Sequence, residues 1–263
     1  MFNSAVNFPI TFALVVFRLA GMMLFAPLFG SARIPRRVRL VLLLVLSLGM
    51  VQGVHAPDHM PDTTWGLALG IGGEMAFGLA MGMVMSFVFI AVQWAGEVIG
   101  QQIGFNLSEV LDPQFGSQSS LVGDLYFMFT LVVFLLVGGH HAMLRGVRAS
   151  FDALPLLSLG VNQSVFQVLL DLFHAATVLA IQLAAPVLVT MLIVDLVLGL
   201  IGRTIPQMNV MSAALSVRAA LGILVVWLGL TLTGGVIQRA VVRSMEQVRV
   251  GWTGPQQMTG VPR

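Results

Sequence analysis

This chain of 263 residues has no cysteine and no lysine, and only 9% of its residues are charged. The missing cysteines exclude a disulfide framework, thiolate-bound metals and a cysteine nucleophile. The scarcity of charge excludes more. An ordinary soluble domain carries about a quarter charged residues, so this chain could not cover a globular surface in water. A net charge of +2 is too small to suggest nucleic acid as a partner. All 13 basic residues are Arg, which reflects genome composition more readily than function. Nucleotide-binding and nucleophile-elbow patterns are also missing; Gly70-Ile-Gly-Gly73 is not a dinucleotide fingerprint and follows no strand. His140-His141 have no further ligand at metal spacing, and Pro57 and Pro61 disfavour the helix that His55 and His59 would need to bind a metal. The sequence therefore gives no catalytic, cofactor-binding or metal residues, and the expectation is a protein that is not an enzyme and takes no cofactor.

What is present is hydrophobic: 57% of the chain. A membrane-spanning helix needs about 20 predominantly apolar residues, and six segments qualify as candidates: 8–29, 38–54, 65–95, 121–137, 175–201 and 213–237. The expected fold class is all-α, an integral membrane protein of about six long hydrophobic helices, in a single domain over 1–263 with no linear repeat. Residues 97–120 and 138–174 are the longest polar stretches, though both are partly apolar. The N-terminus lacks the basic region of a signal peptide, so the first apolar segment is expected to be retained. Gly78 and Gly82 form a G-x-x-x-G pair, which lets helix backbones approach closely. The 16 Met residues, Met81, Met83 and Met85 among them, read as adaptable packing.

Loop charges do not fit six simple crossings. The loop with Arg33, Arg36, Arg37 and Arg39 belongs in the cytoplasm, and the Arg-free loop 55–64 outside. Alternation then puts the acidic stretch 97–120 inside and the tail with Arg239, Arg243, Arg249 and Arg263 outside, against the charges. Either one segment does not cross, or a crossing hides in the long third segment, or the chain does not lie in a flat bilayer.

Three clusters carry the polar chemistry. Arg18 lies inside the first apolar segment, ahead of Pro27-Leu-Phe-Gly30 and Ile34-Pro35. A charge there faces protein, water or a counter-charge. It is either a pathway residue or one half of a packing ion pair with Glu74 or Asp195. The second cluster runs from Gly96-Glu97 through Gly100, Gln101 and Gly104 to Asp112-Pro113, a short helix entering a loop that Pro113 enforces. It is a re-entrant constriction or an ordinary surface loop. The third is Asp195, Gly199 and Arg203 at four-residue spacing, with Pro206 ending the helix, Gln207 beside it and Asn209 able to cap the next one. It is a hairpin whose tip meets a partner or a satisfied turn. An ion-coupled small-solute transporter is the alternative reading, with Glu74, Glu97 or Asp195 as proton relays.

Together these clusters, with Gly139-His140, Leu154-Pro155 and Leu198-Gly-Leu200, resemble in their order the FliR-like family of type III export-gate membrane proteins (FliR, SctT, SpaR), from about Phe8 to beyond Arg218. The resemblance implies a subunit that joins FliP-like and FliQ-like proteins, near FlhB-like and FlhA-like proteins, in the inner membrane at the flagellar basal body. Membrane lipid and unfolded flagellar export substrates are then its other partners. It also implies that the stretch from Gly104 to about Gln118 plugs the closed channel, with Phe105, Leu107, Val110, Asp112, Pro113 and Phe115 as its apolar and turn residues. Relatives often have Phe at the positions of Leu107 and Val110, and Asn at that of Asp195. The acid here adds a titratable group or an ion pair with Arg203.

Overall fold

Apolar runs without alternating polarity satisfy their backbone hydrogen bonds within themselves only as helices, and helices are what the chain forms. The computed structural model describes residues 2–27, 29–30, 34–57, 63–105, 120–157, 163–204 and 210–250. Among the described residues there are seven helices and no strand: α1 Phe2–Phe25, α2 Arg36–Val51, α3 Thr64–Ile103, α4 Leu121–Leu136, α5 Gly139–Ala153, α6 Gln163–Thr204 and α7 Val210–Val250.

The helices differ from the six candidate segments in instructive ways. Three helical stretches are long and apolar enough to cross a membrane, Phe8–Phe25, Thr64–Ile103 and Leu170–Thr204, and up to five if two bent pairs each count as one crossing. α2, at 16 residues, spans about 24 Å, short of a hydrocarbon core of about 30 Å. The candidate at 38–54 is thus not a plain span. Nor does a reversal hide in the third segment, because α3 runs unbroken for 40 residues, about 60 Å of helix. Its end also corrects an expectation. The Gly96 to Gly104 stretch is not a separate short helix, and Asp112-Pro113 does not break it. α3 stops at Gly104, which takes a left-handed φ of 91°. Gly104 N–H donates to the Gln101 carbonyl, and Phe105 N–H to that of Gly100, a Schellman closure that glycine permits.

The polar stretch at 138–174 contains α5 and the start of α6. Average hydropathy hides α5 because it is amphipathic: its buried residues Gly139, Met143, Gly146, Val147, Ser150 and Phe151 form one stripe at helical spacing. Pro186 lies inside α6 without ending it.

The chain divides into two compact units. Unit 1 comprises Met1–Phe87, Leu135–Phe173 and Val241–Arg263; unit 2 comprises Val88–Phe134 and His174–Ala240. In unit 1, Leu14, Val15, Leu19 and Met22 of α1 are buried, as are Phe77, Met81, Val84 and Met85 of α3 and Met143 and Val147 of α5. Close approach of α1 and α3 requires glycine. A Cβ at Gly78 would collide with the Arg18 carbonyl, and one at Gly21 with the Met75 carbonyl. Here the G-x-x-x-G pair serves packing within the chain, and the Ser86 hydroxyl bonds the Phe25 carbonyl at the end of α1.

In unit 2, Phe89 stacks edge-on against Phe127 and Phe134, with ring centroids 5.4 and 5.7 Å apart. Gly96 of α3 meets Gly123 of α4, and a Cβ at Gly96 would lie 2.6 Å from the Gly123 Cα. Along α6 most of the apolar surface stays uncovered: only 17% of its spanning window is buried, and Ile181, Val189, Leu192, Ile193, Leu196 and Leu200 are exposed.

Candidate functional site

The largest fully buried polar side chain is Arg18, at mid-α1. An isolated charge there would cost several kcal/mol of desolvation, so its partners decide whether the fold tolerates it. Nε donates to Glu74 Oε2 of α3 at 2.5 Å, and neither side chain has any exposed surface. Nη1 donates to the Ser150 carbonyl and the Leu154 carbonyl, both at 3.2 Å, and to Ser150 Oγ at 3.3 Å. Nη2 donates to the Leu154 carbonyl at 3.2 Å. The Phe151 and Phe77 rings lie 4.5 and 5.0 Å from the guanidinium carbon, close enough for cation–π attraction.

Local sequence explains this cage. α5 ends at Ala153, and Leu154, extended at φ −132°, is its C-cap because Pro155 disfavours another helical residue before it. The last carbonyls of a helix lack intrahelical donors and carry the negative end of its dipole. Arg18 supplies a cation at this end: it donates to the Leu154 carbonyl and is a second donor to the Ser150 carbonyl, which already accepts from the Leu154 N–H. The chain then turns through Leu157, a non-glycine residue at φ 63°. That conformation costs on the order of 1 kcal/mol, and the Leu157 N–H compensates by donating to Glu74 Oε1 at 2.9 Å. Both Glu74 oxygens are thereby engaged. The Leu157 side chain passes over Gly70, where a Cβ would overlap it.

Sequence reasoning expected Arg18 to be either a pathway residue or a packing pair with Glu74 or Asp195. It pairs with Glu74. The site joins α1, α3 and the end of α5. Ser150, Leu154 and Leu157 were missed because a backbone carbonyl or amide leaves no mark in side-chain chemistry. Only the Leu154-Pro155 dipeptide hinted at the turn.

The Asp195 cluster lies in unit 2. Asp195 does not pair with Arg203, which stands eight residues on, about 12 Å along the same helix. Its Oδ1 meets Arg218 Nη2 of α7 at 2.6 Å, and Gln102 Nε2 of α3 approaches Oδ2 at 3.4 Å. This pair is partly open, with side chains 28% and 37% exposed. Arg203 is exposed in the last turn of α6. Glu97 is half-buried on α3, next to Gly123. Both Glu74 oxygens thus accept hydrogen bonds, and Asp195 is paired with Arg218.

Of the plug stretch, Gly104 and Phe105 form the end of α3 just described; Leu107, Val110, Asp112, Pro113 and Phe115 lie outside the described residues. So do Pro206, Gln207 and the cap expected of Asn209.

Comparison with known proteins covers nearly all of this framework. The family model "Bacterial export proteins, family 1" matches residues 10–244. The flagellar biosynthetic protein FliR of Aquifex aeolicus is 29% identical over 226 residues, 86% of this chain and 87% of that protein. FliR of Bacillus subtilis is 32% identical over 162 residues, 60% of this chain and 62% of that protein. The surface presentation of antigens protein SpaR of Shigella sonnei is 33% identical over 136 residues, 51% of each chain. The match thus spans less than two thirds of the Bacillus and Shigella proteins, and most of the Aquifex one. Because the family model extends from α1 into α7 and includes both charged clusters, the chain belongs to the bacterial export proteins, family 1, the family of FliR and SpaR.

Proposed function

We propose that this chain, as one domain over 1–263, is a non-enzymatic subunit of a type III protein export gate in a bacterial inner membrane. In this reading it joins FliP-like and FliQ-like subunits, with FlhB-like and FlhA-like proteins as neighbours, in the channel for unfolded flagellar axial proteins at the basal body, and flagellum assembly depends on it. The observation that carries the reading is the family match over residues 10–244, with relatives named for flagellar biosynthesis and for surface presentation of antigens. A second observation supports it. The uncovered apolar face of α6 needs lipid or other apolar helices against it. A gate subunit has both.

Within this reading Arg18 and Glu74 set the shape of the subunit, and the stretch from Gly104 to about Gln118 closes the channel. Asp195, Arg203 and the turn with Pro206, Gln207 and Asn209 then meet neighbouring subunits. Affinity purification in mild detergent tests the assembly: two further small hydrophobic proteins should copurify, and deleting the gene should abolish motility. A chain that purifies and transports a small solute alone overturns the reading. Deleting residues 106–118 tests the plug. The assembled complex should form and leak small ions, and an assembled complex that stays tight removes the plug from this stretch.

A further inference from the structure

At the end of α4 an apolar helix gives way to a basic face. Gly138, with φ 76°, connects α4 to α5. From α5, His141, Arg145 and Arg148 fall at i, i+4 and i+7, one face of the helix. With Gly138 and Leu144 they line an open depression of about 550 Å³.

The two guanidinium groups are held differently. Arg148 Nη1 donates to the Met50 carbonyl near the end of α2 at 3.0 Å, and the guanidinium rests over Gly53, where a Cβ would overlap it. Arg145 is exposed. Among the described residues neither is ion-paired, since the two pairs present use Arg18 and Arg218. One anchored fork and one exposed fork, three residues apart, therefore face a depression whose described lining carries no carboxylate. Paired guanidinium forks match phosphate oxygens by geometry as well as charge.

The rim argues for the source of that phosphate. Leu135 and Leu136, just before the turn, are exposed, Leu136 by 81%. Leu144 lines the depression itself, and Leu135 and Leu136 stand within three residues of its Gly138 edge; apolar residues so near a basic depression suit a ligand with an anionic head and hydrocarbon tails. A free phosphate would gain nothing from them.

We propose that this depression binds the phosphate of an anionic phospholipid headgroup. Arg145 and Arg148 hold the phosphate oxygens, His141 borders them, and the acyl chains lie along Leu135 and Leu136. The inference requires a membrane at this level and does not depend on the export reading.

The test uses the full chain, purified in mild detergent with whatever subunits accompany it. Native mass spectrometry measures retention of phosphatidylglycerol against phosphatidylcholine of equal chain length, and inorganic phosphate is titrated separately. The expected result is a preference of about tenfold for phosphatidylglycerol, equivalent to about 1.4 kcal/mol. Arg145→Gln, a change at an exposed position, should remove most of that preference while the thermal midpoint without lipid stays unchanged. Equal retention of the two lipids by the wild-type protein overturns the proposal without recourse to any variant. An undiminished preference in Arg145→Gln overturns it as well. If millimolar inorganic phosphate displaces phosphatidylglycerol and alone gives the same stabilisation, the depression is a soluble-phosphate site and the lipid assignment falls.

Discussion

Two Arg–carboxylate pairs stand among the described residues, Arg18–Glu74 in unit 1 and Arg218–Asp195 in unit 2. Their contacts are nearly equal in length, at 2.5 and 2.6 Å, and their surroundings are opposite. Arg18 and Glu74 have no exposed surface and share their remaining hydrogen-bonding capacity with Ser150, Leu154 and Leu157. Asp195 and Arg218 are about a third exposed, with Gln102 as a distant third member. A buried pair need not stabilise a fold relative to apolar residues, but removing one of its partners leaves an uncompensated charge in low dielectric. A pair that water reaches is worth little either way. The first pair is therefore a condition of the fold, while the second, wherever water reaches it, can change with less loss of stability.

The largest effect separating the two is expected from Arg18→Ala, which strands Glu74 and should cost about 3–5 kcal/mol. Thermal unfolding in detergent and the yield of folded chain measure it. The double change Arg18→Met with Glu74→Leu should recover part of this loss; a double variant no better than the single one would mean that the carbonyl acceptors at Ser150 and Leu154 dominate. Next comes Gly78→Val, whose side chain would drive into the backbone of Arg18, at about 1–3 kcal/mol by the same measurement. Ser150→Ala removes one acceptor from a guanidinium that keeps its others, so about 1 kcal/mol is expected. The smallest effect belongs to Asp195→Asn, less than about 1 kcal/mol, with Gln102 still able to donate to the side-chain oxygen. If Asp195→Asn proved as damaging as Arg18→Ala, the contrast between the pairs would collapse.

These effects follow from features that were unequally legible in the sequence. That Arg18 required a counter-charge could be read directly, because a cation within an apolar helix has few alternatives. Glu74 and Asp195 could not be ranked as partners, since sequence distance says nothing about which helices touch. Gly78 and Gly82 announced a close helix contact but not its partner, α1. Helix ends were harder. Pro113 looked like the stop for α3, yet Gly104 ends it earlier, because a left-handed residue closes a helix wherever the following chain turns away. α5 escaped notice because its apolar stripe is narrow and its average composition polar. Of the candidate plug, only Gly104 and Phe105 lie among the described residues.

By itself, the sequence determined that this protein is helical and lives among apolar surroundings. Both follow from local quantities: the length of the hydrophobic runs and the scarcity of charge. It also determined the family, because order and spacing along the chain carry that information. Only the tertiary structure decided that Glu74 answers Arg18 from 56 residues away, and that the remaining acceptors are backbone carbonyls at the end of α5. It likewise decided that Asp195 reaches across to Arg218 instead of along its own helix to Arg203. The reason is the same in each case. The energy of a buried charge depends on which atoms lie within about 4 Å of it, and that distance exists only once the helices have packed.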